Sequence, residues 1–285
     1  MPTPRFDILA VDVDGTLLDS RGALSNANAD AVRAATAAGV MVVLASARPP
    51  MTTLPLVHAL GLDHPARKPT GGSWPALTMN QNGAVIWSMT AQRALGHYSF
   101  DKAIGSSVIA AARSIDPDVG VSLEHIDRWY TDCEDPKRRR RMVADFEPHF
   151  VGPVSTFTHI EPTRITLMTD PSRLPALRAL IVEHFVHTGQ VSCRAAGDDR
   201  LEIQELDVDK RRALDNIARS LAVPRERICA VGDGPNDAGM LRFAGLGLAV
   251  ANAWGEARQA ADLLLDSGSD DSPLQEVMLQ HILNG

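Results

Sequence analysis

Residues 6–19 read Phe-Asp-Ile-Leu-Ala-Val-Asp-Val-Asp-Gly-Thr-Leu-Leu-Asp, and the fold turns on this stretch. The run 6–13 has the apolar, β-rich character of a strand covered on both faces, as a parallel sheet requires. It ends in charge. Asp12 and Asp14 lie two residues apart, so an extended chain sends both carboxylates to one face at the carboxyl end of the strand. Gly15 then permits a sharp turn. Two carboxylates held this close repel unless a cation binds between them or one keeps its proton. The plainer reading is an Asp-Gly turn closing a surface hairpin. The buried strand ahead of it favours a functional pair, because ligands sit at the carboxyl ends of parallel strands.

Downstream, Leu17 to Leu24 reads as a short flap of turn chemistry beside the carboxylates. Ser25 can cap a helix running from Asn26 to Ala38, Gly39 stops it, and residues 40–45 form a second buried strand. Strand, helix and strand make one parallel crossover unit, which predicts an α/β, doubly wound, Rossmann-like core with a mainly parallel sheet. Ser46-Ala47-Arg48 stands at the end of the second strand. Pro49 and Pro50 open a helix that closes near Gly61, residues 65–75 read as an irregular loop, and 76–80 as a third strand. Asn82-Gly83 signals a hairpin.

From 84 to 196 the texture changes to a helix over 104–115, strands over 119–124, 164–168 and 190–194, and a helix over 172–185, an independent α+β layer. Buried-strand organisation resumes at 201–203, followed by a helix over 210–221, a strand over 228–231, a helix over 236–244, a strand over 246–250 and a terminal helix. The expected domains are therefore a discontinuous core, 1–83 with 197–285, and an inserted α+β cap, 84–196. The length of 285 residues fits this division, and 45% hydrophobic residues can bury two cores.

A net charge of −7 gives no overall attraction to nucleic acid or anionic membrane. Cys133, Cys193 and Cys229 are widely spaced and without a Cys-x-x-Cys pair, which points to reduced thiols. With no apolar amino-terminal region and no run of about 18 apolar residues, the expectation is a cytoplasmic protein, monomer or homodimer.

A second motif, Val231-Gly232-Asp233-Gly234-Pro235-Asn236-Asp237, follows one short apolar strand and precedes a helix. Asp233 thus stands at a carboxyl strand end like Asp12, and Asp237 on the first helical turn. Helix capping after a Gly-Pro turn explains such a string alone, but not two strand-end carboxylate clusters in one chain. Hard oxygen donors at strand ends suit Mg2+, which takes few carboxylates, several waters and a substrate phosphate. Ser46 would add a hydroxyl and Lys210 an ammonium, though taken singly they read as a cap and a solvated helix start.

Taken together, Asp-x-Asp-Gly-Thr, a strand-end Ser, an isolated Lys at a helix start and Gly-Asp-Gly-x-Asn-Asp resemble the haloacid dehalogenase-like hydrolases. An α+β insertion after Asn82-Gly83-Ala84 is similar to their Cof-type phosphatase branch with a type IIB cap. The resemblance implies that Asp12 is a nucleophile forming an aspartyl phosphate, and that Asp14 protonates the leaving oxygen and then activates water. It implies Mg2+ held by Asp12, the Asp14 carbonyl and Asp233 with Asp237 in support. Ser46, Lys210 and Asn236 would hold the phosphoryl group and Arg48 would lie on the substrate side. The implied partner is a small phosphorylated metabolite such as a sugar phosphate, with the cap a lid that selects it. A sugar phosphomutase and a non-catalytic phosphometabolite-binding protein are the alternatives. Two departures stand out: the family's usual Thr-Gly-Arg is Ser46-Ala47-Arg48 here, and 63–75 is long. The basic run 137–141 reads as a solvated face, and His184 and His187 as surface histidines lacking a third ligand.

Overall fold

A computed structural model describes residues 4–135 and 146–282, and the basic run 137–141 lies outside them. The chain forms two compact units, one of residues 1–96 with 209–285 and one of 97–208.

The first unit is built on an eight-stranded sheet. Across it lie Leu263–Leu264, Leu246–Ala249, Ile228–Gly232, Ile8–Asp12, Met41–Ala45, Leu77–Asn80, Val85–Ser88 and Arg93–His97. Ile8–Asp12 is central and fully buried, pairing in parallel with Ile228–Gly232 on one side and Met41–Ala45 on the other. A strand covered on both faces reads as continuous apolar sequence, and Ile8, Leu9, Ala10 and Val11 have no solvent exposure. The first crossover passes through helix Asn26–Ala37, whose cap Ser25 accepts the Asn28 N–H. The chain moves to one side after Ile8–Asp12 and returns on the other through Ile228–Gly232, so the carboxyl ends of these two strands flank a topological switch point.

Residues 65–75, expected to be irregular, contain a small antiparallel ladder between Ala66–Arg67 and Ser73–Trp74. It is held by the Trp74 indole, which donates to the Gly39 carbonyl at 2.8 Å, and by the Lys68 ammonium over its ring. The long loop is thus tied to the core through Trp74, which a reading of turn residues did not show.

The second unit carries a six-stranded sheet ordered Phe150–Val151, Arg128–Thr131, Gly120–His125, Arg164–Met168, Arg200–Gln204 and Ser192–Ala195. Helices Lys102–Ile115 and Leu174–Ile181 cover one face, packing Val108, Ala112, Leu177 and Ile181 against Val121, Leu123, Ile165 and Leu201. The unit boundaries differ from the expected 83/84 and 196/197. Val85–Ser88 stays in the first sheet through antiparallel pairing with Leu77–Asn80, and Arg93–His97 follows it there. Arg200–Gln204, expected to return to the core, pairs on both sides inside the second sheet. Hydrogen-bond partners decided both cases, and partners are not visible in strand propensity.

The turn joining Leu77–Asn80 to Val85–Ser88 has three successive left-handed residues, Gln81 (φ 48°), Asn82 (φ 59°) and Gly83 (φ 93°). At Gly83 an added Cβ would strike the Asp209 backbone carbonyl at the start of helix Lys210–Ser220. Gly83→Ala is therefore expected to cost about 1–3 kcal/mol or more, read as a lowered urea midpoint. Wild-type stability in this variant would show that the close approach is unimportant.

Candidate active site

At the centre of the first unit, the Lys210 ammonium lies between two carboxylates, 2.5 Å from Asp12 Oδ1 and 2.6 Å from Asp237 Oδ1. Asp12 ends the central strand, Lys210 opens helix Lys210–Ser220, and Asp237 stands immediately before helix Ala238–Phe243. The lysine helix is fixed by its cap, because the Asp209 side chain accepts the Arg212 N–H. Lys210 is completely buried. Burial opposes its charge, but Asp12 and Asp237 outweigh that and hold the ammonium above the ordinary lysine range.

Asp237 spends both oxygens on the protein: Oδ1 on Lys210, and Oδ2 on the N–H groups of Asp233 and Gly234 at 3.2 and 2.9 Å. It thereby shapes the loop that carries Asp233. Asp233 accepts a hydrogen bond from the Thr16 hydroxyl at 3.4 Å. Burial first, and then Asp237, raise the carboxyl of Asp233. Asp12 is raised well above the carboxylate range by burial, then by Asp237 and Asp233, against the opposing pull of Lys210. Gly15 (φ +83°) makes this proximity possible, since a Cβ there would stand 2.5 Å from the Asp233 carboxylate.

Asp12, Asp233 and Asp237 offer oxygens that all lie within 4.8 Å of one another, and with all three ionised the one ammonium leaves the group negative by two charges. Asp12 Oδ2 is buried without a hydrogen-bond partner among the described residues. An orphaned carboxylate oxygen in an all-oxygen cluster of excess negative charge fits a hard divalent cation.

Asp14 is arranged differently from the sequence expectation. Its two oxygens accept from Arg48 Nε and one terminal guanidinium nitrogen at 2.9 and 2.6 Å, and its side chain is half exposed. The charges that press on Asp12 belong to Asp237 and Asp233, brought in from the far end of the chain. The local repulsion expected between Asp12 and Asp14 is replaced by this distant one.

Ser46 is buried, and its Oγ accepts the Arg48 N–H at 3.1 Å. Ala47 takes the place of the expected glycine without a positive φ. The Ser46 and Arg48 carbonyls receive the Asn82 and Gln81 N–H groups, and Asn82 Oδ1 accepts from Asn236 Nδ2 at 3.1 Å. The left-handed turn thus joins the Ser46 loop to Asn236. Sequence reading took Asn82-Gly83 only as a hairpin signal. It also missed Asn80, which donates to the Arg48 carbonyl, and Asn252, which donates to the Gly15 carbonyl at 2.9 Å. The run Asn80-Gln81-Asn82-Gly83 at a strand end, with Asn and Gly that tolerate left-handed backbone, was a usable signal for the first two, whereas Asn252 carries no local one.

His184 and His187 are exposed, and among the described residues the aspartate trio is the only metal-compatible cluster. Burial pushes the Cys193 and Cys229 thiols up to about 11 and about 12, which makes them poor nucleophiles. No described helix is long and apolar enough to cross a membrane.

The chain is 23% identical to the 5-amino-6-(5-phospho-D-ribitylamino)uracil phosphatase YwtE of Bacillus subtilis, over 92% of this chain and 94% of that protein. Its fold is that of a haloacid dehalogenase-like hydrolase from Bacteroides thetaiotaomicron (TM-score 0.84, 20% identity, 96% and 99% of the two chains). It is also that of the HAD subclass IIB sugar phosphatase BT4131 (TM-score 0.76, 18% identity, 96% and 98%). A model of the haloacid dehalogenase-like hydrolase family matches residues 9–276. With its two strand-end motifs joined through Lys210, the chain belongs to the haloacid dehalogenase-like hydrolases.

Proposed function

We propose that this protein is a magnesium-dependent phosphatase acting on a small phosphate monoester through an aspartyl-phosphate intermediate. The observation that carries the proposal is the Asp12–Lys210–Asp237 bridge beside Asp233, with Asp12 Oδ2 unpartnered among the described residues. The family match and the phosphatase name of the relative support it.

In this reading the Asp12 carboxylate attacks phosphorus, the bond from phosphorus to the ester oxygen breaks, and Asp14 gives a proton to the departing alkoxide. Asp14 then takes a proton from the water that attacks the acyl phosphate, which releases inorganic phosphate and restores Asp12. Arg48, which here donates to both Asp14 oxygens, lies on the substrate side; Asp14 acts as the acid after Arg48 releases one of those oxygens and it takes up a proton from water. Lys210, the Ser46 hydroxyl and the Asn236 amide hold the phosphoryl oxygens, and Asn82 fixes the amide's direction. Asp12, the Asp14 carbonyl and Asp233 would hold magnesium, with Asp237 supporting that arrangement through Lys210 and the 233–234 amides. A bound ion would offset the excess negative charge, keep Asp12 ionised and polarise the phosphoryl group.

The substrate is proposed to be a sugar phosphate or a phosphorylated cofactor. The ribityl phosphate in the relative's name supports a polyhydroxylated leaving group.

Asp12→Asn is expected to lower phosphate release at least about 1,000-fold. It should leave the melting temperature unchanged or raised, because it keeps an acceptor for Lys210 and removes one of three crowded carboxylates. Turnover near wild type would end the nucleophile assignment. Magnesium titration should raise the melting temperature by roughly 2–4 °C per kcal/mol of binding free energy, and Asp233→Asn should shrink that rise together with activity. Full activity in excess chelator would contradict the metal's role. In a panel of phosphate esters, the highest kcat/KM is expected on a sugar or alditol phosphate; a phosphopeptide ranking first would overturn the substrate class.

A further inference from the structure

Three neighbouring parallel strands of the first unit, Ile8–Asp12, Ile228–Gly232 and Leu246–Ala249, end at one edge of the sheet. The first two lead into the turns that carry Asp14 and Asp233. The third leads into residues 250–254, Val-Ala-Asn-Ala-Trp, which supply no acid, base or carboxylate ligand. This loop nonetheless reaches both of the others.

Its shape is held by backbone. Val250 donates to the Gly232 carbonyl at 3.3 Å, Ala251 to that of Ser267 at 3.0 Å, and Ala253 to that of Val250 at 2.9 Å. The Trp254 N–H donates to the Asp233 carbonyl at 2.8 Å. Asp233 is thereby gripped at both ends of its backbone, since its own N–H is taken by Asp237. None of these bonds requires an asparagine at 252.

Asn252 spends its side chain on other segments. Its Nδ2 donates to the Gly15 carbonyl at 2.9 Å, and its Oδ1 accepts the Ser269 N–H at 2.7 Å. Both ends of the amide are fixed, so its direction is fixed. Gly15 lies between Asp14 and Thr16, its left-handed backbone stands against the Asp233 carboxylate, and the Thr16 hydroxyl reaches that same carboxylate at 3.4 Å. Turning the Gly15–Thr16 peptide would carry Thr16 and the Asp14 turn away from Asp233. A force in that direction exists, because ionised Asp12 and Asp233, on the two separate loops, repel each other within 4.8 Å. The Asn252 amide, braced on Ser269, opposes it.

We propose that Asn252 is a positioning residue, which fixes the Asp14–Thr16 turn against Asp233 so that the Asp14 carbonyl and the Asp233 carboxylate stay close enough to share one cation. It acts through Gly15 and not by contact with metal or substrate. Partners standing behind metal ligands in this way account for about 10–100-fold in metal affinity or activity. The proposal rests on the magnesium ligands assigned above, and metal binding can be read apart from turnover.

The test is calorimetric titration of the full-length protein with magnesium chloride, with p-nitrophenyl phosphate hydrolysis measured on the same preparations. Asn252→Leu, close in size but without hydrogen-bonding atoms, should weaken magnesium binding about tenfold or more. The magnesium concentration for half-maximal hydrolysis should rise by a similar factor, while KM for the ester at saturating magnesium stays near wild type. Asn252→Asp keeps an acceptor for Ser269 and loses only the donor to Gly15. In about 0.5 M potassium chloride, which screens the added charge, it should weaken magnesium binding at an unchanged melting temperature. Ser272→Ala is the structural comparison, because it breaks the 2.8 Å contact with the Ser25 hydroxyl and leaves Gly15 untouched; it should lower the melting temperature and not the magnesium affinity. The proposal is overturned if either Asn252 variant binds magnesium as wild type does, or if Ser272→Ala weakens binding as much as they do. Magnesium binding by the wild type without phosphate release defeats the phosphatase reading alone. Unchanged binding in the Asn252 variants beside an active wild type defeats this proposal alone, and a wild type that binds no magnesium defeats both.

Discussion

The fully buried Lys210 ammonium, held between Asp12 and Asp237, is the interaction on which the rest of the first unit depends. A lysine without solvent exposure stays charged only when opposite charges replace its hydration. Here two carboxylates do so, at the cost of crowding a third, Asp233. The cluster thus ties the ends of the two central strands and the starts of two helices into one polar knot inside an otherwise apolar sheet. It also remains negatively charged with a carboxylate oxygen unspent. The arrangement that secures the lysine therefore leaves a demand for a divalent cation.

Around the knot, the same economy recurs in the backbone. The left-handed run Gln81–Gly83 carries strain, yet it satisfies the carbonyls of Ser46 and Arg48 and places Asn82 against Asn236. Strain of this kind persists where surrounding bonds over-determine the conformation, and here the run is tied to two other loops, the one carrying Ser46 and Arg48 and the one carrying Asn236. Ala47 needs no left-handed backbone, which explains physically why the Ser46-Ala47-Arg48 loop can form without the usual glycine.

The second unit divides its labour by face. Alternation along each strand sends Val121, Leu123, Ile165 and Leu167 into the helix-covered core and Ser122, Glu124, Arg164 and Thr166 to the other side. The apolar face accounts for folding. The polar face is buried too, and its charges are paired through Arg164 with Glu124 and Glu202.

The sequence by itself determined the parallel core and the strand-end positions of Asp12 and Asp233. It did so because buried parallel strands are written as local apolar runs, and their ends as a switch to Gly and Asp. It also carried the family's motif order, now seen in the match over residues 9–276. Tertiary structure alone decided who faces whom. Asp14 turns to Arg48 rather than pressing on Asp12, Asp237 comes across to oppose Asp12 through Lys210, and Arg200–Gln204 joins the second sheet instead of the first. Periodicity and propensity are properties of neighbouring residues. A hydrogen bond or charge contact between residues separated by 198 positions, as in Asp12 and Lys210, is set by how strands pair and helices dock, and no local signal encodes it.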